Sequence, residues 1–182
     1  MLGLTPLSTG LVLLPGSLLM GLLGPVVGRS YDRWGPTPLI IPGTIVVSAV
    51  LWMLTLVDHA TPVFLVVLVH VGLSLGLALT FTPLFTSALG SLPPRLYSYG
   101  SAIIGTNQQL AGAIGTALFI TVLSTVGAHA VTGGAPAAAA TEAGIRAAFL
   151  CGASLSVLLV VGAFFVRKPV APAATPVPSE EG

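Results

Sequence analysis

His70 is an imidazole set inside a long apolar stretch. An imidazole can carry a proton, and in its neutral form it could equally hydrogen-bond a backbone carbonyl. Two other groupings carry polar chemistry. Arg29-Ser30-Tyr31-Asp32-Arg33 gathers three charges, and Asn107-Gln108-Gln109 sets three amides or carboxamides in a row. No paired carboxylates, no His/Cys ligand cluster, no phosphate-cradling glycine loop and no nucleophile–base pair accompany them. The pattern is not that of an enzyme, and no cofactor or metal is expected. Cys151, the single cysteine, excludes an internal disulfide and reads as a small buried apolar residue.

The elements that position these groups follow from composition. Of 182 residues, 54% are hydrophobic and only 6% charged, with six basic and five acidic side chains and a net charge of +1. Soluble proteins carry about 25% charged residues. So few charges cannot cover a water-soluble globule, and they leave no electrostatic footprint for nucleic acid. The solvent of this chain is lipid.

A spanning helix needs about 20 mostly apolar residues. Five such segments lie between the charges, at about residues 5–27, 39–57, 62–86, 100–125 and 147–166. The expected fold is therefore all-α, a polytopic membrane bundle of five transmembrane helices forming a membrane domain over residues 1–168. Residues 126–140 read as a flexible loop, and 169–182, rich in Pro and Ala, as a disordered tail. A cleaved signal peptide is the other reading of the first segment. It lacks a basic leader, and the charged run follows it directly.

Arg29, Arg33, Arg95, Arg167 and Lys168 fall on one side of this map, and Asp58, His59, Glu142 and Arg146 on the other. The positive-inside rule places the first group, with the C-terminus, in the cytoplasm. Met1 is then outside with almost nothing ahead of the first span, which suggests a missing upstream part.

Small residues four apart share a helix face and let a neighbour approach closely. Gly24 with Gly28, Gly72 with Gly76, and the stripe of Ala111, Gly112, Gly115 and Thr116 make such faces. For Asn107, Gln108 and Gln109, cross-helix packing is preferred to substrate contact. Asp32 and Arg33 are expected in a very short turn ahead of the second span, beside its positive dipole end, with Gly35 permitting the turn.

Gly28-x3-Asp32-Arg33-x-Gly35 resembles the cytoplasmic loop signature of the major facilitator superfamily, with Thr37 near the place where that pattern ends in a further basic residue. Leu14-Pro15-Gly16, Leu92-Pro93, Tyr99-Gly100-Ser101-Ala102 and the run from Asn107 to Ala117 are similar to the fourteen-spanner multidrug/proton antiporter branch, the EmrB/QacA type. The likeness covers residues 10–125.

The resemblance implies a partial major facilitator fold. The chain would be the C-terminal part of a plasma-membrane efflux transporter, its five spans matching the last five of fourteen. It would work with a missing N-terminal half and exchange small amphipathic drugs for protons. Gly28, Arg29, Asp32, Arg33 and Gly35 would form the conformational gate. Ser17, His70, Ser74 and Phe81, with Thr5, are candidates for the substrate or proton path. The other expectation is an independent five-helix scaffold without transport of its own.

Overall fold

The computed structural model describes residues 6–57 and 61–166. Five long helices carry the chain: α1 (Pro6–Trp34), α2 (Thr37–Leu54), α3 (Val63–Gly90), α4 (Tyr97–Thr132) and α5 (Ala137–Ala163), with a 3-10 turn at Pro94–Leu96. All five are long and apolar enough to cross a membrane. Lipid offers the backbone no hydrogen bonds, so each crossing segment must satisfy its peptide groups within a helix. Pro15 and Pro25 in α1, Pro42 in α2 and Pro83 in α3 sit inside these helices.

The connections share one device. Pro36, Pro62, Pro93 and Pro136 each stand immediately ahead of the next helical element. A proline there supplies a fixed φ, and its missing N–H costs nothing because the first helical N–H groups have no partner anyway. At two turns a glycine adopts positive φ, Gly35 at 80° and Gly134 at 86°. Gly35 N–H closes α1 by donating to the Tyr31 carbonyl at 2.7 Å.

Three expectations change. Asp32 and Arg33 lie in the last turn of α1, and the turn itself is Gly35-Pro36. Residues 126–140 are not a loop: α4 runs to Thr132 and α5 begins at Ala137, so only four residues turn the chain. Alanine is the strongest helix former, and the Ala-rich stretch extends α5 toward the turn. The fourth and fifth spans accordingly start at 97 and 137 rather than 100 and 147. The expectations for Thr5, Asp58, His59, Arg167, Lys168 and the tail 169–182 fall outside the described residues.

Neighbours in space are not neighbours in sequence. α1 packs on α3, α3 on α2, α2 on α5 and α5 on α4, while α1–α2 and α3–α4 barely touch. α2 and α3 approach closely. A Cβ on Gly76 would lie 2.7 Å from Val47 Cγ2 and 2.9 Å from the Gly43 carbonyl oxygen, and one on Gly72 3.1 Å from Val50 Cγ2. Ile40, Thr44 and Val47 are buried along α2. On α5, Gly144 lies against the Leu123 carbonyl and Gly152 against the Phe119 ring of α4. Ser156 bridges to Ser48 at 2.8 Å, joining α5 to α2.

Candidate functional site

One end of the bundle is tied by two side-chain hydrogen bonds. Ser87 of α3 donates to Tyr31 Oη of α1 at 3.3 Å. Thr37 Oγ1, at the start of α2, donates to the Val166 carbonyl beyond α5 at 3.1 Å. These contacts bring the Arg29 and Arg33 end of α1 beside the end of α3, just ahead of Arg95, and gather the basic segments at one end of the molecule. Arg29, Asp32 and Arg33 are exposed and form no ion pair among the described residues. Arg33 instead stacks on Trp34, its guanidinium 5.4 Å from the ring centroid. The side chain that joins α1 to its neighbour here is therefore Tyr31, a residue the charge pattern did not single out.

Farther along α1, Gly16 is buried against α3. A Cβ there would fall 2.6 Å from Ser74 Oγ and 2.8 Å from His70 Nε2. Only glycine allows α1 to come so close. Ser74 is buried and turns its hydroxyl onto the His70 carbonyl, 2.9 Å away. His70 Nε2 is buried with no hydrogen-bond partner among the described residues. Ser17 is exposed and bonds to its own helix at the Leu13 carbonyl, 3.1 Å. His70, Ser74 and Gly16 thus form one contact, which Ser17 does not join.

Phe81 stands apart from that contact along α3. Eleven residues separate it from His70, which places the two about 20° apart around the helix and about 16 Å apart along it. Phe81 opens onto a groove of about 580 Å³ between α3 and α4. On the α3 wall Phe81 and Phe85 set their rings 6.4 Å apart at 36°. On the α4 wall stand Asn107, Gln108, Ala111 and Gly112.

The three amides expected to act together are split: all three are exposed, but Asn107 and Gln108 line the groove and Gln109 does not. None of the three forms a hydrogen bond with another described residue. The glycines divide as well. Gly72 and Gly76 pack on α2, but no described atom lies within 4 Å of a Cβ placed on Gly24, Gly28, Gly112 or Gly115, so these four make no close helix approach among the described residues. Of α4 only Gly100 is buried. Its unused faces carry the small residues.

Gly16, Gly43 and Gly144 were not singled out as packing positions, although each makes a close helix approach. The signal for α5 was present in the spacing of four between Ala140 and Gly144, hidden by reading that segment as a loop. Gly43 has no small residue four positions away, and its partner lies on another helix.

The family model for the Major Facilitator Superfamily matches residues 1–116, well over half of the chain. The chain belongs to the Major Facilitator Superfamily. It is 39% identical over 173 residues to the lincomycin resistance protein LmrB of Listeria monocytogenes, covering 92% of this chain and 36% of that protein. To LmrB of Bacillus subtilis it is 37% identical over 172 residues, covering 91% and 36%. With the multidrug efflux pump LfrA of Mycolicibacterium smegmatis it shares 30% identity over 123 residues, 68% of this chain and 24% of the pump. The chain thus spans about a third of the length of the LmrB proteins and is homologous to drug efflux transporters of the superfamily, not to enzymes. No solved structure matches it.

Proposed function

We propose that this chain is the C-terminal part of a proton-coupled exporter of small amphipathic drugs. The observation that carries the reading is its 39% identity with a lincomycin resistance protein along 92% of its length. Transporters of many spans hold substrate near the bilayer midplane between two repeats that rock against each other. In this reading α1–α5 form most of one half, and His70, Ser74 and Phe81, close to one line along α3, are part of the substrate and proton path. Ser17 belongs to the same path on α1. His70 is the proton carrier: an ionisable group inside a membrane is expensive to keep unless it is used, and its buried Nε2 has no hydrogen-bond partner among the described residues.

The Arg-bearing end of the bundle is cytoplasmic in the plasma membrane. There Asp32, exposed and without an ion-pair partner among the described residues, engages the other half of the transporter and favours the inward-closed state, with Gly28, Arg29, Arg33 and Gly35 shaping the gate. Gly24, Gly112, Gly115 and Gln109 are packing positions for that half.

Expression of the native gene in a host stripped of its own exporters tests this. Resistance to lincomycin or to another amphipathic drug should rise, and a protonophore should abolish the export. Asp32→Asn should lower transport while leaving protein in the membrane. Unchanged drug sensitivity with protein present would refute the export reading. The coverage of only 36% of each LmrB protein favours a second reading, a five-helix membrane scaffold without transport of its own. It predicts full membrane levels and no export from the same gene.

A further inference from the structure

We infer that the α1–α3 seam is a proton-operated joint: it closes while His70 is neutral, and a proton on His70 parts the two helices and releases the Tyr31–Ser87 bond at the Arg-bearing end. The inference rests on the export reading and adds a movement inside this five-helix unit, separate from the rocking of two halves.

The seam encloses an imidazole and makes no provision for its charge. Gly16 lets α1 come down on the ring, so that a Cβ there would fall 2.8 Å from His70 Nε2 and 2.6 Å from Ser74 Oγ. Nε2 is buried without a hydrogen-bond partner among the described residues. The Ser74 hydroxyl already donates to the His70 carbonyl at 2.9 Å. No counter-charge is at hand on the helices around it. α2 carries no titratable side chain, and α3 none besides His70. On α1 the nearest is Arg29, followed by Tyr31, Asp32 and Arg33, and Arg29 stands about 20 Å along the helix from Gly16. α4 meets α3 only slightly and carries Tyr97, Tyr99 and His129 near its two ends.

A neutral imidazole can stay in such a place. An imidazolium cannot, because a charge buried without a partner is costly. The proton therefore binds better where α1 has lifted and Nε2 reaches water or a partner. By linkage it shifts the population toward that arrangement by the same factor. The closed seam holds at high pH and is lost on acidification.

α1 is placed to respond. It packs on α3 and barely touches α2. Pro15, next to Gly16, and Pro25 both lie inside α1, and each lacks the N–H that would hold the carbonyl four residues back, so the helix bends readily there. The same two helices meet again where Ser87 donates to Tyr31 Oη at 3.3 Å. That bond lies about 23 Å from Gly16 along α1 and about 26 Å from His70 along α3. The matched lengths mean that α1 and α3 run side by side in one direction, so a lift at His70 is carried to the Tyr31–Ser87 contact.

The test is a spin-label distance in the native gene's product, held in lipid nanodiscs in a Cys151→Ser background. Labels go on Val26→Cys of α1 and Thr86→Cys of α3, both exposed and near the Tyr31–Ser87 end. The distance is read from about pH 8 to about pH 5, across the ordinary imidazole titration at about 6.5. It should lengthen on acidification. His70→Gln, of similar size and never charged, should keep the short distance throughout. Gly16→Val, which wedges the seam, should give the long distance at both ends of the range. Tyr31→Phe removes one bond from the closed state and should move the midpoint to higher pH.

A distance that still lengthens in His70→Gln, recovered from the membrane at the parent's level, overturns the proposal. An unmoved midpoint in Tyr31→Phe overturns it as well, by removing the Tyr31–Ser87 bond from the joint. A parent distance that ignores pH, in cells that keep protonophore-sensitive drug resistance, also overturns it and leaves the export reading standing. Lengthening that depends on His70, in a protein that confers no resistance, supports the joint and removes the export reading.

Discussion

Gly76 shows how much one hydrogen atom in place of a side chain decides. Its backbone lies against that of Gly43 closely enough that a Cβ would meet the Gly43 carbonyl oxygen at 2.9 Å. Gly76→Leu should destabilise the 182-residue chain by about 1–3 kcal/mol, the usual cost of overpacking, read as a lower unfolding temperature in detergent. Gly115→Leu, at a position with nothing within 4 Å, should stay within about 0.5 kcal/mol of the parent. Equal losses at both would mean that the α2–α3 approach is not what holds the seam. The same contrast marks the limit of legibility at this scale. The glycine pairs Gly72/Gly76 and Gly112/Gly115, spaced by four and by three, look alike as a sequence. Only the first pair meets a helix of this chain, because contact depends on which neighbour stands opposite.

At the scale of the element, the five apolar stretches were readable because lipid leaves the backbone no other way to satisfy itself. The turns were readable in part. A proline marks every connection, yet the Ala-rich segment before Glu142 reads as a loop in the sequence, since low complexity and low polarity hide helix from loop. Thr37 is the more instructive position. Its departure from the basic residue expected of the signature gains a role in the structure, a hydrogen bond to the Val166 carbonyl 129 residues away. Thr37→Val keeps the shape and removes the donor. It should cost about 0.5–1.5 kcal/mol and free the chain after α5, seen as faster amide exchange and cleavage beyond Ala163. Unaltered exchange there would show that the bond does not hold α5 to α2.

At the scale of the whole molecule, the order α1–α3–α2–α5–α4 gathers Arg29, Arg33 and Arg95 at one end of the bundle through the Tyr31–Ser87 contact, beside the short link from α3 to α4. The proposed orientation puts Ala135, in the turn between α4 and α5, outside and the C-terminal Ser179 inside. Cysteines at the two positions, in a Cys151→Ser background, should differ in intact cells: an impermeant thiol reagent should label position 135 and spare 179 until the membrane is opened. Labelling of both, or of neither, would overturn that map.

The sequence by itself determined that the chain lives in lipid and how many times it can cross, because a bare peptide group in hydrocarbon is costly wherever it occurs. The tertiary structure decided which faces meet. It set His70 under Gly16, turned Phe81 toward Asn107 and Gln108, and left Gln109 outside. Helices that are apolar on every side carry no stripe that names their neighbours, so the pairing is settled by shape, where backbones can touch, and shape appears only when all five are assembled.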